Sequence, residues 1–247
     1  FGDLEIHTAG GMLTEQIINA PKTIQLVAYL LLKPERAHSP REIFEHLNPG
    51  EDFDGNTNAI RGSIYRFSNM YAKRTGQSAR LIVREGGGYR RNPELKITTD
   101  IEQFDLHLKA AEAASGSAER IDELRKAVEL YKGPVFMCGR DQLWLNDIVS
   151  QYEVHYIKAA DALMRELAKQ KDYAGIMQYA VRAHELFPGN GLICYWLIMA
   201  TYSLSGADMA KKEYFRLKDD MTQEEIDVVT EHLKKNSLIR YDELFGV

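Results

Sequence analysis

Basic side chains are concentrated between residues 56 and 96, where nine Lys and Arg stand against two Glu, a net charge of +7. Guanidinium and ammonium groups bind phosphate oxygens, and an Arg or Asn side chain can make two hydrogen bonds to the edge of a base. Such a local cationic stretch is typical of a nucleic-acid-binding surface. The nine basic residues are Arg61, Arg66, Lys73, Arg74, Arg80, Arg84, Arg90, Arg91 and Lys96.

The rest of the chain is acidic, so this positive charge is local. The whole sequence has a formal net charge of −5. Residues 1–55 carry four basic and nine acidic side chains, and residues 97–247 carry 18 basic and 25 acidic ones. Because charges are screened over about 8–10 Å at physiological salt, their distribution matters more for binding than their total.

Length and composition predict a cytoplasmic globular protein. The 247 residues allow one large domain or two ordinary ones, and 45% are hydrophobic. No apolar run reaches the roughly 18 residues that a membrane helix needs, and the first residues lack the features of a signal peptide. Cys138 and Cys194 lack metal-ligand spacing; we expect them to be reduced, with a disulfide between them as the alternative.

Turn and capping residues predict the elements that precede the basic stretch. Residues 1–20 alternate apolar and polar side chains around Gly10-Gly11, which predicts strands joined as a β-hairpin. Residues 21–32 predict a helix, because a proline starts them and apolar residues recur at helical spacing. Ser39 is expected to cap a second, short helix, and Glu42 to complete its capping box.

Residues 57–74 predict an amphipathic helix with two chemically different faces. At 100° per residue its apolar side chains fall within about 60° of one another. These are Ile60, Ile64, Phe67 and Tyr71. The opposite face carries amide, aromatic and cationic groups: Asn58, Gly62, Tyr65, Arg66, Asn69 and Lys73, with Arg61 at the flank. Residues 81–91 then predict a basic hairpin with a glycine turn at residues 86–88.

From residue 99 onward the sequence predicts one helix after another. Thr99 and Glu102 have the spacing of a second capping box. The expected helices cover 101–114, 118–131, 142–170, 173–187, 190–204, 207–219 and 223–235. A weak 34-residue repeat, which aligns Leu163 with Leu197, favours tetratricopeptide-like helical hairpins.

The first half of the chain resembles a known DNA-binding domain. The segments Lys-Thr-Ile-Gln-Leu-Val-Ala-Tyr-Leu-Leu-Leu at 22–32, Ile-Tyr-Arg-Phe at 64–67 and Gly-Tyr-Arg at 88–90 are similar to the OmpR/PhoB type. This resemblance implies an α+β winged helix over residues 1–97.

The second half resembles the bacterial transcriptional activation domain. Asp-Ile-Glu-Gln-Phe at 100–104, the Ala, Leu-Tyr and Gly within 127–133, and Trp-Leu at 144–145 are similar to that domain's opening. Residues 98–247 are then an all-α tetratricopeptide-like domain. Over essentially its whole length the chain resembles the antibiotic-regulatory-protein (SARP-type) activators, and the order of the motifs carries this resemblance.

The resemblance implies a sequence-specific transcriptional regulator, with activation favoured over repression. Its target would be double-stranded promoter DNA, read by helix 57–74 in the major groove and by a basic wing at 81–92. RNA polymerase is implied as a partner of the helical domain, and a homodimer would suit paired half-sites. The residues expected to contact DNA are Asn58, Arg61, Gly62, Tyr65, Arg66, Asn69, Lys73, Arg74, Arg84, Arg90 and Arg91.

Two departures from the family pattern keep an alternative open. Ser68 stands where many relatives carry a further Arg, and Glu85 would place a negative charge at the wing tip. The alternative is a tetratricopeptide-like protein-interaction scaffold with a degenerate winged helix. An enzyme is disfavoured, because the sequence has no nucleophile elbow, zinc motif or phosphate loop. We expect no cofactor and no metal.

Overall fold

The computed structural model describes residues 2–136, 143–236, 239, 241 and 242. Contacts divide the chain into two compact units: unit 1 contains residues 1–102 and 133–152, and unit 2 contains residues 103–132 and 153–247. The domain boundary that the sequence places after residue 97 stays a prediction. No sequence pattern indicated that residues 133–152 belong with unit 1.

Unit 1 combines two small antiparallel hairpins with short helices. Its elements are β1 (Glu5–Thr8), β2 (Gly11–Thr14), α1 (Glu15–Ile18), α2 (Pro21–Leu32), α3 (Pro40–Leu47), α4 (Asn58–Thr75), β3 (Ile82–Glu85) and β4 (Gly88–Arg91). In the first hairpin Glu5 pairs with Thr14, and in the second Ile82 pairs with Arg91. These bounds confirm both predicted hairpins.

Helix α2 forms the centre of unit 1. Pro21 occupies its first position, where a missing amide hydrogen costs nothing. Ile24, Val27 and Leu30 are buried, and the helix packs against α4 and β4. The apolar run in the sequence thus became a core helix rather than a surface one.

One predicted strand is wrong. Residues 15–18, expected to continue the first hairpin, form the short helix α1. The cause is local, because the Thr14 hydroxyl accepts a hydrogen bond from the Ile17 amide and caps the turn.

The two predicted capping boxes had different outcomes. Ser39 caps α3 by accepting a hydrogen bond from the Glu42 amide at 3.2 Å, but the Glu42 carboxylate bonds to Arg36 and His38. A guanidinium is a stronger partner for a carboxylate than a backbone amide is. In the second box both halves form: the Thr99 amide donates to Glu102 at 2.8 Å, and the Glu102 amide donates to the Thr99 hydroxyl at 3.1 Å.

A segment distant in sequence completes unit 1. The Phe136 amide donates to the Gly2 carbonyl at 2.9 Å, beside a parallel bridge between Gly2 and Val135. The Trp144 ring meets the buried Tyr29 ring edge-on, with centroids 5.1 Å apart. Val135, Phe136 and Trp144 therefore provide both backbone and aromatic contacts to the N-terminal elements.

Unit 2 is built from helices whose ends lie within one residue of the predicted ones. They are α5 (Asp100–Ala113), α6 (Ser117–Leu130), α7 (Leu143–Lys169), α8 (Tyr173–Leu186), α9 (Gly191–Ser205), α10 (Ala207–Lys218) and α11 (Gln223–Lys235). The first residues of α5 and α7 are counted in unit 1. Helix α9 contacts α8, α10 and α11, and its residues 193–200 are all buried, which makes it the core of the unit.

Aromatic stacking and one polar link hold the helices of unit 2 together. Tyr131 stacks on Tyr156 with centroids 4.5 Å apart, and Phe187 joins them at 5.5 Å from Tyr156. The Trp196 indole donates to Asp161 at 2.8 Å and so connects α9 with α7. Cys194 is buried and unpaired, whereas Cys138 lies outside the described residues.

Candidate nucleic-acid interface

The inner face of α4 fixes the helix in unit 1. Ile60, Ile64, Phe67 and Tyr71 are all buried, as the sequence predicted, and Phe67 is fully so. Burying a large apolar side chain stabilises the fold by about 1.5–3 kcal/mol, so these four residues determine which side of α4 faces solvent.

The outer face of α4 is polar, cationic and free of carboxylates. No Asp or Glu occurs among the 18 residues of the helix. Tyr65 leaves 63% of its surface exposed, so its ring and hydroxyl are accessible on this face. The predicted contact residues that α4 brings together on its exposed surface are Asn58, Arg61, Tyr65, Arg66, Asn69, Lys73 and Arg74.

Arg66 has a defined conformation on this face. Its guanidinium folds back along the helix, and Nη2 donates to the Ser63 hydroxyl at 3.3 Å. Gly62 is half-buried, and a Cβ at that position would lie 3.3 Å from Nη1 of Arg66. The planar group therefore lies against the backbone of the preceding turn.

A shallow cleft runs beside the second half of α4. It is lined by Ile17 of α1 and by Asn69, Met70, Lys73 and Arg74 of α4. Two of these side chains are apolar, and the other three are two cations and an amide. The cations can bind the phosphate oxygens of a nucleic-acid backbone.

The backbone of the β3–β4 hairpin is anchored to the loop before α3. Tyr89 and His38 exchange two backbone hydrogen bonds, each 2.9 Å long. Gly86 and Gly87 form the hairpin turn with φ of +56° and +85°, values that L side chains rarely adopt. The glycines thus serve the turn, as predicted, and their position gives no sign of a phosphate cradle.

The three basic residues predicted for the hairpin are not equivalent. Arg84 is exposed, and no ion pair joins it to another described residue. Arg90 donates to Glu85 at 3.0 Å and to the Pro34 carbonyl at 3.3 Å. Glu85, which the sequence suggested would repel phosphate, is therefore paired with a cation.

Arg91 is engaged by the start of α5. Its Nη2 lies 2.9 Å from Oε1 of Glu102, and only 18% of the Arg91 side chain is exposed. Burial alone would raise the pKa of Glu102, but hydrogen bonds from Arg91 and Thr99 outweigh burial and hold that pKa below its ordinary value. The predicted DNA contacts of Arg90 and Arg91 stay predictions, and both would require these pairs to open.

A polar cluster around His38, which the sequence did not predict, lies next to the hairpin. The His38 side chain is buried, with Nδ1 3.2 Å from both the Tyr29 hydroxyl and Glu42, and Nε2 3.0 Å from the Lys33 carbonyl. The hydrogen bond from Arg36 holds the pKa of Glu42 at about 2, and burial raises that of Tyr29 to about 12. The four-residue spacing of His38 and Glu42 is the one sequence feature that could have predicted their contact.

Within the described part of the chain, other kinds of site find no support. No group of three or more His, Cys, Asp or Glu side chains there is arranged to hold a metal ion. No helix in the same residues combines the length and apolar character needed to cross a membrane.

The comparison with protein families decides the class of the chain. Residues 99–233 match the bacterial transcriptional activator domain. The chain belongs to this family. The family places it among bacterial transcriptional activators, and it assigns α5 to α11, up to Leu233, to the domain that defines them.

A solved structure has a similar fold over nearly the whole length of this chain. Mycobacterium tuberculosis EmbR, solved in complex with a low-affinity phosphopeptide, is similar with a TM-score of 0.69 over 99% of this chain. The two sequences are 17% identical, and the match covers 66% of the EmbR chain. The similarity therefore extends through unit 1 as well as unit 2. No curated protein sequence matches.

Proposed function

We propose that this chain is a promoter-binding transcriptional activator. Residues 1–97 act as an OmpR/PhoB-type winged helix, with α4 as the recognition helix and β3–β4 as the wing. Residues 98–247 act as a tetratricopeptide-like domain that contacts RNA polymerase or another protein partner. The target is double-stranded promoter DNA, and a homodimer on paired half-sites would add affinity.

The acid-free outer face of α4 carries this proposal. An 18-residue helix is about 27 Å long, and the major groove is wide enough to admit it. Arg66 and Asn69 have the side chains that make paired hydrogen bonds to guanine and adenine edges. Lys73 and Arg74, which line the cleft, suit phosphate oxygens. Arg84 is the wing cation with the fewest competing contacts.

The interaction-scaffold alternative draws support from the hairpin, where Arg90 and Arg91 are engaged by acids. The two departures from the family pattern, Ser68 and Glu85, support the scaffold less. Ser68 is only 9% exposed and points into unit 1, so a missing Arg there does not weaken the outer face. Glu85 is neutralised by Arg90. The scaffold thus remains the second candidate.

Selection of fragments from genomic DNA, followed by binding measurements across a salt series, tests the proposal. The selected fragments should share a motif, and log K should fall linearly with log salt, because each neutralised phosphate releases counterions. If no fragment is enriched and the chain shifts no duplex at low salt while a purified protein partner binds, the scaffold is the better description.

Lys73→Ala sharpens this test. Loss of one phosphate contact should weaken binding to selected and unrelated duplexes by similar factors and reduce the salt slope by about 1. Lys211→Ala removes an exposed lysine from α10 and is the matched control, with no change expected. A selective loss at the motif alone would instead assign Lys73 to base reading.

A further inference from the structure

The space above Gly62 is occupied by a single side chain. Apart from the backbone of α4 itself, the three atoms nearest to a Cβ built at Gly62 all belong to the guanidinium of Arg66, at 3.3, 3.9 and 4.0 Å. Ser63, the next residue, accepts the hydrogen bond from the same guanidinium. Two consecutive residues of α4 thus form a shallow seat for one functional group.

Glycine at this position disfavours the helix that contains it. In a helix interior Gly is less favourable than Ala, because it loses more backbone freedom on folding. The rest of unit 1 does not require it, since no backbone atom outside α4 is among the three atoms nearest to a Cβ built there. Its compact form therefore serves the packing of Arg66 rather than the packing of the fold.

We propose that Gly62 and Ser63 are positioning residues that set where Arg66 reads DNA. This inference rests on the proposed function. Helical side chains point toward the N-terminus, and the seat holds the guanidinium one turn before the Cα of Arg66. The N-terminal part of a recognition helix is the part that contacts base edges. The seat thus assigns Arg66 to a base pair near the start of α4.

The physical gain is orientation of a planar group. A guanidinium makes two parallel hydrogen bonds to guanine only when its plane and position match the base edge. A long, free side chain loses rotamer freedom on binding, and a side chain that already lies in place loses less. Gly62 supplies a flat surface, and Ser63 fixes the rotation of the fork.

Gly62→Ala separates this role from the stability of the helix. The new methyl group would lie 3.3 Å from Nη1, closer than an ordinary contact, so the guanidinium would shift from its seat by a few tenths of an ångström. The Tm should stay equal or rise, because Ala favours the helix. Binding to the selected motif should weaken roughly fivefold or more, the lower end of the discrimination that a bidentate base contact gives. The base preference at one position should relax, and binding to unrelated duplex should not change.

Five further variants locate the effect. Arg66→Ala should relax the preference at the same base position, and Gly62→Ala combined with Arg66→Ala should bind no more weakly than Arg66→Ala alone. Ser63→Ala should give a smaller loss of base preference at that position. Ser63→Thr keeps the hydroxyl and should therefore keep the preference. Ala72→Gly reverses the residue exchange at an exposed position of α4 and should lower the Tm without changing base preference.

The outcomes separate this inference from the proposed function. If Arg66→Ala loses the preference and Gly62→Ala keeps it, the seat is wrong and DNA reading stands. If the two losses add in the double variant, Gly62 acts independently of Arg66, as close approach of the helix to DNA would predict, and the seat is again wrong. If the unaltered chain selects no motif, the proposed function fails and the inference fails with it.

Discussion

Helix α4 and the β3–β4 hairpin are both basic in sequence, but they differ in how many of their cations are paired with carboxylates. The cations of α4 lie on a helix that has no carboxylate and that also carries the exposed ring of Tyr65. Two of the three hairpin cations are held by acids: Arg90 by Glu85, and Arg91 by Glu102. A count of charges in sequence therefore overstates what the hairpin can contribute to phosphate binding.

This difference in ion pairing indicates which of the two regions can contribute more to the free energy of DNA binding. An exposed cation without a partner can bind phosphate at little cost, whereas a paired cation must first give up its carboxylate. We therefore expect α4 to provide specificity and most of the affinity, and the hairpin to provide a smaller contribution centred on Arg84.

The largest effect should come from comparing Arg66→Ala with Arg90→Ala. Removing Arg66 should cost about 1–3 kcal/mol at the selected motif and relax its specificity, because a base contact is lost. Removing Arg90 should cost clearly less, since its charge is already offset by Glu85. Fluorescence anisotropy with motif and scrambled duplexes measures both. Equal losses would remove the distinction between the two regions.

A smaller effect of opposite sign is expected from Glu85→Gln. The substitution removes the partner of Arg90 and one negative charge from the wing tip, so the hairpin comes to resemble α4. Affinity for any duplex should rise roughly two- to fourfold, with a steeper salt slope. Glu112→Gln makes the same charge change at an exposed site of unit 2 and should have no effect. Unchanged binding by Glu85→Gln would show that the wing does not touch the duplex.

The smallest effect concerns stability and pH. Because the folded-state pKa of Glu102 lies below its ordinary value of 4.5, its pair with Arg91 stabilises the fold above that value. The contribution is lost as pH falls through the lower, folded-state pKa.

Glu102→Gln should therefore lower the free energy of unfolding near pH 7 by about 0.5–1 kcal/mol, and by progressively less as the pH falls below 4.5. Chemical denaturation at several pH values measures this difference. Glu94→Gln, at an exposed position, is the control. A difference that stays constant with pH would exclude ionisation of Glu102 as its cause.

Local patterns predicted most of the backbone. Helix α2 has the predicted ends, and the α4 helix is shifted by one residue from 57–74 to 58–75. The buried face of α4 followed from helical spacing alone, because Ile60, Ile64, Phe67 and Tyr71 recur at the intervals that place them on one side. The predicted contacts on its outer face remain to be tested, although the exposure they require is present.

Long-range partners could not be predicted from the sequence. Nothing near Arg91 indicates that it meets Glu102, eleven positions later, because the capping box of Thr99 explains that Glu equally well. The contact of Phe136 with Gly2 joins positions whose local sequences carry no pairing signal. The helix α1 was missed for a different reason, since a single turn has too few residues to show periodicity.

The return of residues 133–152 to unit 1 has a consequence for exchanging parts between relatives. A chimera cut once, after Lys96, would leave the Tyr29 ring without Trp144 and the Gly2 carbonyl without its hydrogen-bond donor. A chimera that transfers unit 1 therefore requires both of its segments, residues 1–102 and 133–152, from the same parent protein.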